Sequence, residues 1–496
     1  MNTLLVLPLL VPLATAAATI LLARSPRATR AASFAGAAAF LAAAIALLGA
    51  TLDGTILVTQ AGDWAAPFGI SLVADRFAAA MVLVAALLLA AVVVSSVRGL
   101  DDARERAGYH PLLHVLSMGV SGAFLTGDLF NLYVWFEVML MASFVLVSLG
   151  GERAQLQGAL KYVVLNLVSS ALFLAGAGLL YGSVGTLNMA DAAVALRELP
   201  EQGLPSVVAS LFLLAFGIKA AAFPLFFWLP ASYHTPPMPV AALFAGLLTK
   251  VGVYALVRVL TLVFVRDAAF TGPLLLAVAA TTMVTGVLGA MAQGDVRRIL
   301  SFHIVSQIGY MLMGLGLGTR LALAGTVFYV LHHIVVKANL FLVAGAIRRT
   351  GGSFSLDRLG SLLARSPLLA AAFLVPAVSL AGLPPLSGFW AKYLLVRAGL
   401  EAGNGTIVAV ALAVSLLTLF SMSKIWAEAF WKPVPAGAGA EPAPLTAGER
   451  ASLLGPVFVL GAITVAIGLG AGVLYRFADA AAAQLLDPEL YVRAVL

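Results

Sequence analysis

Seven ionisable side chains stand inside stretches that are otherwise almost free of charge: Glu137, Lys219, Lys250, His332, His333, Lys337 and Lys392. A charged group at the centre of a membrane span costs at least about 2.5–3.5 kcal/mol on insertion scales, so retaining several demands protein-lined or wet surroundings. Burial favours the neutral forms of lysine and glutamate, while a nearby opposite charge favours the ionised ones. Separating or reuniting Glu137 and Lys219 would therefore switch the lysine between holding and releasing a proton. Histidine, with a reference pKa of about 6.5, suits a relay between such stations. His333 and Lys337 are four residues apart and share one helical face. The order Glu137, Lys219, Lys250, His332/His333/Lys337, Lys392 reads as a proton path. The bland alternative for each is a side chain bonded to a neighbouring helix.

Other charges are less informative. Lys424 and Glu428 lie at i, i+4 toward the end of their span, where snorkelling or a local ion pair serves as well as transport. Arg258 and Lys161, near span ends, read as interfacial anchors. His234, in PASYHTPP, either closes a proton inlet or is simply a loop histidine. No oxygen-rich cluster marks a sodium site, because Asp128 and Asn131 stand near a helix end and serve equally as caps.

The elements that position these groups are membrane helices. Of 496 residues, 62% are hydrophobic and 10% charged, which no water-soluble fold can bury. Apolar windows of about twenty residues, the length that crosses a core of about 30 Å, recur along the chain. Punctuated by Gly, Pro and charge, they number about fourteen. They lie near residues 3–23, 31–51, 74–97, 111–127, 129–149, 159–182, 206–229, 239–262, 270–292, 299–317, 321–347, 366–398, 404–431 and 452–474. The first window lacks the basic region that precedes a secretory signal and is expected to be a retained helix. There is no cysteine, which excludes disulfides, thiolate-ligated zinc and the usual iron–sulfur clusters within this chain. No cofactor or metal site is expected. The formal charge of +7 sits in short loops, which fits membrane topology and not nucleic-acid binding.

Alternate loops are basic: Arg24/Arg27/Arg30, Arg98/Arg104/Arg106, Arg153, Arg297/Arg298, Arg348/Arg349/Arg358/Arg365 and Lys432/Arg450. The intervening loops carry few, chiefly Arg197, Arg266 and Arg320. The basic series is expected to face the cytoplasm, and an even helix count then leaves both termini outside. Lys432 to Arg450, rich in Pro, Ala and Gly, reads as a linker.

The chain also repeats itself. GALKYVVLNLVSSALFLAGA from Gly158 resembles GTVFYVLHHIVVKANLFLVAGA from Gly325, matching at Gly158/Gly325, Tyr162/Tyr329 and, after a slip, LFL and AGA. Lys219 and Lys392 are 173 residues apart, Lys250 and Lys424 174. Five helices separate the copies, so the repeat is expected to be inverted, as is common in transporters. AFGIKAAAFPLFFWLP and LAGLPPLSGFWAKYLL are expected to be discontinuous helices, each with a lysine beside its break. The resulting division is a three-helix segment (1–110), a first five-helix repeat (111–265), a second (266–431) and a linker, last helix and tail (432–496).

Four long motifs carry a family resemblance: GDLFNLYVWFEVMLMASFVLVSLGG, IKAAAFPLFFWLPASYHTPPMPVAALFAGLLTKVGVYALVR, LHHIVVKANLFLVAG and LSGFWAKYLLVRAGLE. With them the chain resembles, over almost its whole length, the D-subunit family of Mrp-type multisubunit Na+/H+ antiporters, kin to the antiporter-like subunits of respiratory complex I. The resemblance implies fourteen helices with two inverted five-helix repeats, in a bacterial plasma-membrane complex of several subunits that exchanges sodium for protons without hydrolysing nucleotide. It also implies that Glu137 pairs with Lys219, and that Lys250, His333 and Lys337 continue the path to Lys392. Tyr329 stands where some complex I relatives carry another histidine. Two other readings compete: an energy-coupling subunit of a complex I-like or membrane hydrogenase enzyme, and a non-transporting scaffold. The terminal Lys392 favours the antiporter; a scaffold would not need so many buried titratable groups.

Overall fold

The computed structural model of the chain describes residues 3–198, 203–265, 268–435 and 444–496; Arg266 and residues 436–443 of the expected linker lie outside the described residues. The polypeptide is nearly all helix. An opening hairpin of α1 (Thr3–Leu21) and α2 (Pro26–Gly49) is followed by two short antiparallel strands, β1 (Leu57–Gln60) and β2 (Ser71–Ala74). These strands are an addition to the all-α expectation. Then come α3 (Arg76–Gly99), α4 (Asp102–Arg106), α5 (Tyr109–Leu125), α6 (Leu129–Ser148), α7 (Arg153–Val184), α8 (Met189–Glu198), α9 (Leu204–Ala220), α10 (Trp228–Ser232) and α11 (Met238–Leu262). The second half holds α12 (Ala268–Met291), α13 (Val296–Leu317), α14 (Arg320–Gly351), α15 (Leu362–Arg365), α16 (Pro367–Ala381), α17 (Ser387–Glu401) and α18 (Gly405–Ile425). The chain closes with α19 (Ala447–Glu449), α20 (Gly455–Leu469), α21 (Ala471–Leu485) and α22 (Pro488–Val495).

Among the described residues, eleven helical segments are long and apolar enough to cross a membrane. The remaining three windows are α5, of 17 residues, and the two broken helices. A count of fourteen crossings therefore requires all three of these to cross as well. The breaks have a local cause. After α9, Ala221 adopts a left-handed conformation (φ 60°) and Pro224 offers no N–H, so the helix resumes only at Trp228. After α16, Gly382 takes φ 91° and Pro384 and Pro385 follow, before α17 starts at Ser387.

Backbone pairing repeats at a constant offset. Leu129 N–H donates to Leu187 O and Met189 N–H to Gly127 O, each at 2.8 Å; 167 residues on, Val296 donates to Phe354 at 3.0 Å and Leu356 to Gly294 at 2.8 Å. Asp128 and Asp295 cap the helices that begin there, accepting from Asn131 N at 2.7 Å and Arg297 N at 2.9 Å. Gly158/Gly325 and Tyr162/Tyr329 share this offset of 167. Sequence matches and backbone pairings thus share one offset.

The core lies along α11 and α14. The most apolar stretch of α11 is 100% buried and that of α14 is 94% buried, whereas α1, α2, α7 and α12 are 39% buried and turn an apolar side outward. The two central helices carry Lys250, His332, His333 and Lys337. Basic loops gather at one end of the bundle: Arg98, Arg104, Arg297, Arg348 and Arg349 line one cleft of about 780 Å³, and Arg30 ion-pairs with Glu105 there. The segment after α20, expected as a tail, instead folds back as α21 and α22. Tyr491 of α22 is buried against Arg258.

Candidate functional site

Glu137 and Lys219 meet through a third residue. Glu137 lies half-buried on α6 and Lys219, 5% exposed, in the last turn of α9 just before the break. Ser170 of α7 donates its hydroxyl hydrogen to Glu137 Oε1 and accepts from Lys219 Nζ at 3.2 Å. Lys219 Nζ is also 5.0 Å from the Phe136 ring centroid, over which a cation is attracted. A hydroxyl bridging a carboxylate and an ammonium offers a short proton route between them.

The middle of the row is deeper. Lys250 and Lys337 are fully buried and donate to main-chain oxygens, Lys250 to Ala245 O at 2.6 Å and Lys337 to Leu300 O at 3.0 Å. Neither ring nitrogen of buried His333 has a protein partner. Lys250, Lys337, His332 and Lys392 are all within electrostatic range of His333. His332 Nδ1 is 2.9 Å from Ser387 Oγ at the start of α17, which is 3.0 Å from Ser379 Oγ of α16. Gly388 permits this approach, because a Cβ there would lie 1.7 Å from Ser379 O and 3.1 Å from His332 Cε1.

Lys392 ends the row at the second break. Its Nζ donates to Ala381 O and to Ser415 Oγ, both at 2.9 Å. The last carbonyls of a helix lack intrahelical partners and carry partial negative charge. The end of α16 is thus the counter-charge for Lys392, in place of a carboxylate.

Three buried polar residues of α13 escaped the sequence reading. His303 Nε2 is 2.9 Å from Ser421 Oγ, and Lys337 and Lys392 are in its electrostatic range. Gln307, one turn on, accepts from Tyr329, whose ring stacks on Tyr310 at 5.3 Å. Tyr329 is 5.5 Å from His332 and 6.2 Å from His333, ring to ring. The spacing of His303, Gln307 and Tyr310 inside an apolar window was visible in the sequence by the criterion that singled out Glu137.

The secondary residues serve mainly local structure. Lys424 Nζ donates to Met291 O at 3.1 Å and Gln293 O at 2.9 Å, closing the end of α12, and Glu428 pairs with Lys432 at 2.5 Å instead of with Lys424. Lys161 is exposed, as an anchor should be. Arg258 is not an anchor: it is 6% exposed and ion-pairs at 2.7 Å with Asp75, whose carboxylate also caps α3 through Ala78 N at 2.8 Å. The chain end that buries Arg258, α21–α22, had no apolar span to betray it. Asp128 is the helix cap already noted.

His234 Nδ1 is held 2.8 Å from Pro230 O in the loop after α10. Burial, reinforced by Arg298, pushes this imidazole down to about 4, so it stays neutral until the pH falls through that value. His234→Gln is therefore expected to leave the pH profile of any transport unchanged near neutrality. An altered profile in vesicles would show that His234 titrates there.

Fold and buried row together define a polytopic membrane protein of the antiporter-like class. The family model described as NADH:quinone oxidoreductase/Mrp antiporter, TM, matches residues 126–418. The Na(+)/H(+) antiporter D subunit of Alkalihalophilus pseudofirmus is 47% identical and that of Bacillus subtilis 41%, each over 100% of both chains. A chain of the Mrp complex from Dietzia sp. DQ12-45-1b superposes with a TM-score of 0.92 at 36% identity over 100% of both chains. A chain of respiratory complex I from Thermus thermophilus with bound NADH gives 0.81 at 25% identity over 97% of this chain and 99% of that one. The chain belongs to the NADH:quinone oxidoreductase/Mrp antiporter family, on the branch of the Na+/H+ antiporter D subunits, and is a transporter component, not an enzyme.

Proposed function

We propose that this chain carries protons within a Mrp-type multisubunit Na+/H+ antiporter, along the row Glu137, Lys219, Lys250, His332, His333, Lys337 and Lys392. The observation that carries the reading is a set of four buried lysines on crossing helices, interleaved with two buried histidines, in a chain 47% identical throughout to the D subunit of a Na+/H+ antiporter. Buried ammonium groups held by carbonyls and hydroxyls are poorly compensated charges, the kind that exchange protons readily. Identity of 36% with the Mrp chain against 25% with the complex I chain favours the antiporter over an energy-coupling role. Other membrane subunits complete the complex. Its site is the bacterial plasma membrane, with the basic end in the cytoplasm and both termini outside. The functional division is the one expected above: 1–110, two inverted repeats at 111–265 and 266–431, and 432–496. Everted vesicles from an antiporter-deficient host test the role. Sodium-dependent proton movement is expected with the complete complex and not when this chain alone is omitted; its persistence without the chain defeats the proposal.

Topology has its own test, helped by the lack of native cysteine. A cysteine at Ser353, in the loop after α14, is expected to resist impermeant thiol reagents in intact cells and react in everted vesicles. Labelling in intact cells would invert the orientation.

A further inference from the structure

A second chain of hydrogen-bonding groups lies apart from the row, where α2 meets α5 near the basic end. Glu105 of α4 accepts from Arg30 Nε at 2.7 Å and stands 3.1 Å from His110 Nε2. His110 Nδ1 is 3.0 Å from Ser33 Oγ, which is 3.0 Å from His114 Nε2. His110 is 2% exposed, Ser33 and His114 0%, and His114 Nδ1 has no protein partner. Glu105 lines two open clefts of about 390 and 370 Å³, so the chain runs from accessible surface into the bundle.

Donor and acceptor roles follow from the carboxylate end. Arg30 grips both oxygens of Glu105, which keeps it ionised and able only to accept. His110 Nε2 must then donate, leaving Nδ1 of the neutral ring as an acceptor. Ser33 has one hydrogen and gives it to His110, so its oxygen accepts from His114 Nε2. Neutral His114 is left with a bare Nδ1, the atom that lacks a partner. Every hydrogen in the chain points toward Glu105.

We propose that His114, Ser33, His110 and Glu105 form a proton-release relay from the membrane interior to the basic end; this rests on the reading of the chain as a proton carrier. A proton binding His114 Nδ1 lets the Nε2 proton pass to Ser33. The Ser33 proton passes to His110 Nδ1, and that from His110 Nε2 to Glu105, which yields it to the cleft. One proton enters and one leaves; both rings and the hydroxyl then reorient. Ser117 and Ser121 continue the stripe inward at i+3 and i+7 from His114, both buried, and Ser121 Oγ is also unpartnered.

The charged surroundings are concentrated at the basic end. Helix α1 packs along α5 without one ionisable side chain; α2 contributes Arg27 and Arg30, α4 Asp102, Arg104, Glu105 and Arg106, α3 Arg76 and Arg98 at its ends, α6 Tyr133 and Glu137, and α11 Lys250, Tyr254 and Arg258. Of these, Glu105 and Arg30 are in electrostatic range of His110, and His110 in that of His114.

Glutamine separates a relay from a mere staple between α2 and α5, because its amide both donates and accepts yet takes up no proton. In proteoliposomes holding the assembled complex, His110→Gln and His114→Gln are each expected to slow sodium-driven proton movement about tenfold or more and to flatten its dependence on pH at the basic end. Wild-type rates and pH dependence in both variants overturn the relay. Should glutamine prevent assembly, Ser33→Ala decides, since it cuts the link and leaves both rings: a similar loss supports the relay, and an unchanged rate overturns it. A wild-type complex that moves no protons would instead defeat the functional reading itself.

Discussion

Lys219→Ala is expected to abolish sodium-driven proton movement in vesicles while leaving the complex assembled, and Glu137→Ala to do the same. The loss should be on the order of a hundredfold or more, the scale at which a positioned proton carrier contributes. The geometry explains why neither side chain works alone. Lys219 has the Ser170 oxygen and the Phe136 ring for company, and Ser170 commits its hydrogen to Glu137. Without Glu137 the hydroxyl loses its acceptor and the lysine its compensating charge; without Lys219 the carboxylate has no proton to exchange. Groups that act as one unit are not additive, so the double variant should be little worse than either single one. Glu137→Asp should retain part of the rate, because charge survives with shorter reach. Assembly is followed by the amount of complex recovered in detergent. Wild-type exchange in an assembled Lys219→Ala complex would remove the pair from the mechanism.

A comparable effect on stability is expected at the other buried pair. Arg258→Met strands the Asp75 carboxylate, 3% exposed, and breaking a buried ion pair on one side costs roughly 3–5 kcal/mol. Much less folded complex should be recovered, and at a lower melting temperature. Asp75→Asn combined with Arg258→Met should restore most of the loss: asparagine can still accept from Ala78 N as a helix cap, and no lone charge is left buried. A double variant as unstable as Arg258→Met alone would show that the ion pair is not what holds α3, α11 and the α22 end together.

The membrane helices were legible in the sequence because lipid imposes one rule locally. A backbone without water must satisfy its own hydrogen bonds, so each span has to be a long apolar helix wherever it packs. The breaks at Pro224 and at Pro384–Pro385 were legible for the same reason, since proline removes a donor regardless of its neighbours. Glu137, Lys219, Lys250, His333, Lys337 and Lys392 stood out because charge in an apolar window is costly before any partner is known.

Partners are another matter, because they come from distant parts of the chain and no local pattern encodes them. Only the tertiary structure sets Ser170 between Glu137 and Lys219, and makes the carbonyl end of α16 the counter-charge of Lys392. It turned Arg258 from an expected anchor into half of a buried pair with Asp75, 183 residues away, and drew the expected tail into that cluster. It also joined Ser33 to two histidines more than seventy residues further along. Apolar spacing in the chain determined where helices form and which charges they carry inward; the packing of those helices decided which charges face one another, because hydrogen-bond geometry exists only once distant faces meet.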